Sequence, residues 1–297
     1  MDNGNLSARL QERITGGVSQ SKVAADLGIS PALLSQWLKG KYAGDNDKME
    51  KAVAGYLARQ NEVEAQEILF YPKGIVETTM TALIRSTAIQ AYREGEIAVV
   101  YGNAGSGKTS GIKAFAFQNQ GTIVVTANVG YTAKVLFQEI ADNLDLSAKG
   151  SVYDIFTRIK NKLNGVKKTI IIDEAEHLPY RALDLLRSLQ DEAKFGLVLV
   201  GLPRLLYNLK GNKSEYAQLY SRISVAYKAP EMSKADAEKV LSLVGIDKAN
   251  AVICALETSG NIRSAVKLAK NVKQLSEKND RIIDKEVIAA AKSLLVA

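Results

Sequence analysis

The chain has 297 residues, enough for about two domains of roughly 150 residues each, and its 46% hydrophobic and 24% charged residues supply a core of ordinary size and exclude a disordered chain. No run approaches the roughly 18 apolar residues of a membrane span, Met1 to Gly17 lacks the apolar stretch of a signal peptide, and the single cysteine, Cys254, fits a reducing compartment, so a cytoplasmic protein without a membrane partner is expected. Lys plus Arg is 39 against 32 for Asp plus Glu, and this net charge of +7 favours a polyanionic partner.

The first 60 residues read as short helices broken at Gly16-Gly17, Gly28 and Gly40. Gln20 to Ser30 leads into Pro31-Ala-Leu-Leu-Ser-Gln-Trp37-Leu38, with Ala24 small enough for a close helix crossing and Gly28 placed where a turn needs positive φ. Ser30 reads as the cap of the second helix and Pro31 as its first residue. Ile29, Leu34 and Leu38 form one packing face, and Trp37 reads as core. The pattern predicts a helix-turn-helix whose second helix enters a major groove, with Ser35 and Gln36 at base edges and Lys39 and Lys41 at phosphates. A plain helical hairpin or a protein-docking module accounts for the same residues without DNA.

From Glu96 the texture changes. Apolar runs at Glu96–Tyr101, Thr122–Thr126, Thr169–Asp173, Leu197–Val200 and Ile223–Lys228 alternate with amphipathic stretches such as Ala133–Leu144 and Val152–Leu163. Such alternation predicts an α/β fold with a parallel sheet covered on both faces. After Pro230 only helices are expected. The implied division is a helix-turn-helix head at 1–65, an α/β core at 66–229 and a helical tail at 230–297.

Between the first apolar run and the following helix stands Gly102-Asn103-Ala104-Gly105-Ser106-Gly107-Lys108-Thr109, with Ser110 after it. This is G-x-x-x-x-G-K-[ST], the phosphate-binding loop, in its required strand-to-helix setting. Glycines let successive N–H groups converge on phosphates, and the helix adds its positive end. Lys108 reaches the β- and γ-phosphates of ATP, and the Thr109 hydroxyl ligates Mg²⁺. The second acidic element is Thr169-Ile-Ile-Ile-Asp173-Glu174, an apolar strand that delivers two carboxylates at its C-terminal end, where open α/β sheets place their chemistry. Asp173 is expected to hold the hydrated Mg²⁺, and Glu174 to orient or deprotonate the attacking water. The lone histidine, His177, reads as a loop residue rather than a base, and Glu176 is open to either reading.

In this order the chain resembles the phage Mu transposition protein B family of AAA+ ATPases over nearly its whole length. The resemblance rests on Lys41-Tyr-Ala-Gly-Asp-Asn46, Ala98–Asn103, Ile171-Ile-Asp-Glu-Ala-Glu-His-Leu178, Gly196–Gly201 and Leu219-Tyr-Ser-Arg-Ile223. It implies an ATPase that binds double-stranded DNA without strong sequence preference and assembles on it as a helical filament. It further implies delivery of that target DNA to a cognate transposase and stimulation of strand transfer. Since AAA+ ATPases bind nucleotide between neighbours, the resemblance makes Arg222 the arginine finger. Gly260-Asn-Ile-Arg263 looks like the family's sensor-2 turn, which aims Arg263 at the γ-phosphate of its own subunit. The family carries a polar residue near Gly201, where this chain has Leu202 and Pro203. For DNA, the candidates are Tyr131, Thr132 and Lys134 after the second strand, and a tail stripe of Arg263, Lys267, Lys270 and Lys273. A helicase loader or replication initiator, and an ATP-switched transcription regulator, are the rival readings.

Overall fold

The computed structural model describes residues 3–15, 19–70, 76–210 and 220–295, so Gly16, Gly17 and Leu219 lie outside the described residues. Two compact units divide the chain, one of residues 1–71 with 137–162, the other of residues 72–136 with 163–297. The first begins with α1 (Asn3–Thr15), α2 (Gln20–Asp26), α3 (Pro31–Leu38) and α4 (Asn46–Phe70). Ser19 and Ser30 cap α2 and α3 by accepting the N–H groups of Lys22 and Leu33. Gly28, at φ 69°, makes the turn between them. Leu10, Val23, Ala24, Leu34, Trp37 and Val53 form a core of their own, and Ile29 and Leu38 pack against it half-buried. Trp37 is thus a packing residue, as its place in the helix predicts. Residue 65 falls inside α4, which is continuous across it.

The chain continues through α5 (Thr79–Glu94), β1 (Ile97–Tyr101), α6 (Lys108–Gln118), β2 (Ile123–Thr126), α7 (Ala133–Asn143) and α8 (Val152–Leu163). It proceeds to β3 (Thr169–Asp173), α9 (Tyr180–Ala193), β4 (Gly196–Gly201), α10 (Pro203–Lys210) and β5 (Ile223–Lys228). The tail is α11 (Lys234–Ser242), α12 (Lys248–Glu257), α13 (Ile262–Asn279) and α14 (Lys285–Ser293). Phe137 of α7 and Phe156 of α8 stack at 5.9 Å between ring centroids.

The five strands pair in the order β2-β3-β4-β1-β5, every pairing parallel. Every residue of β3 and β4 is buried, which requires cover on both faces and explains why these strands read as unbroken apolar runs. Met80, Ile84 and Ala88 of α5 and Ile112 and Phe115 of α6 pack against Ala98, Val100, Ile171 and Val198 of the sheet. Each of the isoleucine, valine, methionine and phenylalanine side chains buried here contributes about 1.5–3 kcal/mol. A Cβ at Gly196 would fall 2.6 Å from the backbone of Ala91 and Tyr92, so only glycine lets α5 lie this close to β4. In the tail, Leu241, Cys254, Leu268, Val272 and Ile288 build a separate core. Burial pushes the Cys254 thiol up to about 11, leaving it a packing group. Among the described residues no helix is long and apolar enough to cross a membrane.

Strand order decides what meets at the carboxyl edge of the sheet. β4 lies between β1 and β3, with Tyr101 opposite Gly201 and Ile172 opposite Leu199. The loop after β1, the carboxylates after β3 and the turn after β4 therefore share one rim.

Candidate active site on the carboxyl rim

The chain leaves β1 through Gly102 and enters α6 at Lys108. Gly105 and Gly107 hold φ at 77° and 91°, a left-handed backbone that other residues resist. Gly107 caps α6 without a side-chain hydrogen bond, so the first N–H groups of the helix remain for an anion. Ser106 and Ser110 flank this start, and Ser106 Oγ accepts from Lys108 Nζ at 3.3 Å. Lys108 is 9% exposed, and its Nζ also donates to Gly102 O and Asn103 O at 2.8 Å each. Burial pulls the Lys108 ammonium below the ordinary lysine value; Asp173 and Glu176 oppose that pull, Arg263 adds to it, and Glu174 opposes it. A polyphosphate in the loop would add counter-charge directly at this buried cation.

Thr109 Oγ1 donates to Asp173 Oδ2 at 2.7 Å, and Asp173 Oδ1 accepts the Glu174 N–H at 2.9 Å. Asp173 is buried, with both oxygens oriented by these donors. Among the described residues no three His, Cys, Asp or Glu side chains form a metal cage. Mg²⁺ ordinarily takes one or two protein oxygens together with phosphates and waters, and the adjacent hydroxyl and carboxylate oxygens of Thr109 and Asp173 fit that donor set. Glu174 follows at φ 53°, a left-handed conformation costing a non-glycine residue about 1–3 kcal/mol and concentrated at functional sites. Its carboxylate is 53% exposed at the rim. Glu176, open in the sequence, is buried, and its Oε2 accepts the Leu202 N–H at 3.1 Å. A Cβ on Gly201 would approach that oxygen to 2.1 Å. Glu176 therefore braces the end of β4.

The tail supplies residues that sequence reasoning missed. Asn261, the cap of α13, accepts the Ser264 N–H through Oδ1 and donates through Nδ2 to Ala104 O at 2.8 Å. A Cβ on Gly105 would meet Asn261 Oδ1 at 2.3 Å, and the Arg263 N–H donates to Gly105 O at 3.3 Å. Asp236, nearly fully buried in the first turn of α11, accepts from Thr79 N at 2.9 Å, Thr79 Oγ1 at 2.7 Å and Ser233 N at 3.2 Å. Both contacts tie the tail to the core across 157 residues of sequence. Caps at Asn261 and Ser233 are visible as sequence signals; the contacts of Asn261 with Ala104 and of Asp236 with Thr79 are not. Arg263 itself stands exposed in the first turn of α13, close enough to Lys108 to act on its charge.

Arg222 lies at the other end of the sheet. Ile223 is opposite Ile97, the first residue of β1, so the length of that strand, about 15 Å, separates Arg222 from the loop of its own chain. It is 57% exposed and stands 3.6 Å from Asp191 Oδ1. Of the loop after β2, Thr132 caps α7 by accepting the Val135 N–H at 3.3 Å, and Lys134 is exposed. Tyr131 is 8% exposed, so its ring is buried beside these two residues. The tail stripe is also interrupted. Lys267 is exposed, whereas Lys270 is half-buried and its ammonium is lowered by that burial. Lys273 is 4.0 Å from Glu277 and rests beside Gly245. In the head, Gln36, Lys39 and Lys41 are exposed and Ser35 is half-buried on α3.

A family model described as an AAA domain matches residues 91–209. The chain is 33% identical over 258 residues to a Mu-like prophage DNA transposition protein B of Haemophilus influenzae, covering 83% of this chain and 88% of that protein. It is 30% identical over 224 residues to the ATP-dependent target DNA activator B of Escherichia phage Mu, covering 74% and 70%. Among solved structures, the ORC2 protein of Aeropyrum pernix superposes with a TM-score of 0.58 at 14% identity, over 77% of this chain and 70% of that one. At that identity the superposition establishes the shared fold.

Proposed function

Because the chain belongs to the transposition protein B family of AAA ATPases and is itself an ATPase, we propose that it is an ATP-dependent target-DNA activator of transposition. In this reading it binds double-stranded DNA without sequence preference, assembles on it as a helical filament, delivers it to a cognate transposase and stimulates strand transfer. The head at 1–65, the ATPase core at 66–229 and the tail at 230–297 divide the work.

The observation that carries the reading is the Thr109–Asp173 contact with Glu174 beside it, on the rim where the glycine loop opens. The loop from Gly102 to Ser110, through its N–H groups beyond Gly102, and the Lys108 ammonium bind the phosphates of ATP. Thr109 and Asp173 hold Mg²⁺, which when bound neutralises phosphate charge. Glu174 orients a water and takes its proton as the terminal phosphoryl group leaves. Arg263 stands at the γ-phosphate from within the chain. Arg222, turned to the far end of the sheet, reaches the nucleotide of a neighbouring subunit, so that ATP bridges subunits and its hydrolysis loosens them. Lys134 and Thr132 with Lys267 face the DNA backbone, and Gln36, Ser35, Lys39 and Lys41 add head contacts; the net charge of +7 supports this.

Negative-stain microscopy of the protein with long mixed-sequence duplex DNA, with and without ATP and Mg²⁺, tests the reading. Continuous helical coating only with nucleotide is expected, and Glu174→Gln should retain ATP, hydrolyse it about a hundredfold or more slowly and leave coating that persists. Isolated particles at defined sites, or coating indifferent to nucleotide, would refute it.

A further inference from the structure

Strand order sets the turn after β4 between the glycine loop that follows β1 and the carboxylates that follow β3. The family resemblance leads one to expect a polar side chain in that turn, but Leu202 and Pro203 stand there. The next residue, Arg204, lies in the first turn of α10 and is exposed. One of its guanidinium nitrogens is 3.1 Å from His177 Nδ1 and 3.2 Å from His177 Nε2. An in-plane approach so nearly equidistant would run into the ring carbon between those nitrogens, so the guanidinium lies over the imidazole face. Arginine stacks favourably on aromatic faces, and in that position its remaining N–H groups stay available for an anion.

The stack joins two elements that are already fastened together. Leu202 N donates to Glu176 Oε2 at 3.1 Å, and Asn208 Nδ2 donates to Glu176 O at 3.3 Å, which ties α10 to the turn at Ala175–His177. Among the described residues no carboxylate pairs with Arg204, so its charge is uncompensated there. His177 Nε2 is 3.8 Å from Glu174 Oε2, too far for a hydrogen bond. Because the same ring nitrogen is 3.2 Å from Arg204, the guanidinium nitrogen stands no more than about 7 Å from that carboxylate oxygen. A water on Glu174 and a phosphoryl oxygen on Arg204 bridge a gap of that width at about 2.8 Å per hydrogen bond.

We propose that Arg204 is a phosphate-binding residue of the site, its guanidinium held over His177 and its free N–H groups donating to an oxygen of the ATP γ-phosphate. His177 is its positioning residue and acts through the ring face, not through either nitrogen. As the water oxygen bonds to the γ-phosphorus, the bond to the bridging β-phosphate oxygen breaks, ADP leaves with that electron pair, and the proton of the water passes to Glu174. The negative charge on the other γ-phosphoryl oxygens is then met by Arg204 from the β4 side, where Leu202 and Pro203 offer no side-chain donor. An exposed guanidinium suits a DNA phosphate as well, and the short distance to Glu174 is what favours the nucleotide. The proposal rests on the reading that places the γ-phosphate beside Glu174, and it adds two residues to that reading.

Equilibrium binding of ADP and of a non-hydrolysable ATP analogue, both without DNA, tests it together with the steady-state ATPase rate and the thermal midpoint. Arg204→Met, which keeps the aliphatic stem, should weaken the analogue about tenfold, leave ADP affinity and the thermal midpoint unchanged, and lower kcat about a hundredfold. His177→Ala should lower kcat about threefold to tenfold, and His177→Phe, which keeps a ring face without a nitrogen, should recover most of that loss. Combined with Arg204→Met, His177→Ala should cost nothing further, since the ring acts only through the guanidinium. Equal weakening of ADP and analogue, or unchanged analogue affinity and kcat, would overturn the proposal. Weakened DNA binding with both nucleotide affinities and kcat intact would also overturn it, and would give Arg204 to the duplex. His177→Phe as slow as His177→Ala would overturn the role of the stack. Glu174→Gln separates the two levels. If it hydrolyses ATP normally, the placement of the γ-phosphate beside Glu174 falls; if it is inactive while Arg204→Met keeps its preference for the analogue and its kcat, only the role of Arg204 falls.

Discussion

The two ends of the central sheet are built differently. At the carboxyl rim, polar groups, buried at Lys108, Asp173 and Glu176, are tied to one another: Lys108 to the loop carbonyls, Thr109 to Asp173, Glu176 to Leu202, Asn261 to Ala104. At the amino end, Arg222 is mostly in solvent beside Asp191, which Arg187 already engages at 2.8 Å. Exposed ion pairs of that kind contribute little, of order 0–1 kcal/mol. The rim is organised within one chain, whereas the amino end holds a cation with little to hold it in place, as its proposed service to a neighbouring subunit requires.

The largest effect that would sharpen this contrast is expected from Lys108→Ala, which should weaken ATP binding by about a hundredfold or more and abolish nucleotide-dependent assembly on DNA, because charged hydrogen bonds to phosphate are lost. Equilibrium binding of a fluorescent ATP analogue measures it, and assembly that survives with ATP would break the link between site and filament. Arg222→Ala should next lower kcat by about a hundredfold only under assembling conditions, with analogue binding to the isolated protein unchanged. Mixing it with Glu174→Gln subunits should restore part of the activity, because a neighbour then supplies the missing arginine. An equal loss with and without DNA would place Arg222 within its own subunit's stability instead.

Asp236→Asn comes next, with a loss of about 1.5–3 kcal/mol in unfolding free energy at neutral pH. Burial alone would raise the Asp236 carboxyl, but hydrogen bonds from Thr79 and Ser233 outweigh it and hold the group below its ordinary 3.8. A depressed carboxyl stabilises the fold above its unfolded value, and that contribution is lost as pH falls through the folded value. The gap between wild type and variant should therefore close on acidification below about pH 4, measured by denaturant titration; a gap constant with pH would assign the loss to packing. The smallest effect is expected from Asn261→Asp, which keeps an oxygen to cap α13 but turns a carboxylate rather than a donor towards Ala104 O. ATP affinity should fall about fivefold to tenfold, the equivalent of one lost hydrogen bond, with the thermal midpoint nearly unchanged.

How much of this was readable from residues alone depends on the span of each interaction. The strands, the glycine loop and Asp173-Glu174 were readable because each is a local pattern: an apolar run, a spacing, a carboxylate at a strand end. β5 was placed correctly even though four of its six residues are exposed, since Ile223 to Tyr227 still alternates. The burial of Tyr131 was not readable, because residue type in a polar-looking loop does not tell which ring is covered. Helical spacing puts the tail stripe on one face without saying what covers it, and Lys270 is partly covered.

The sequence by itself determined that this is an α/β chain with a phosphate loop, an acidic pair and helical ends. Only the tertiary structure decided that β4 separates β1 from β3, that Asn261 and Asp236 join the tail to the core, and that Arg204 meets His177. The physical reason is that local periodicity records which face of an element is apolar, whereas contacts between residues 27 to 157 positions apart follow from how the chain returns on itself. That return is set by the packing of all the apolar faces together, and no short stretch of sequence carries it.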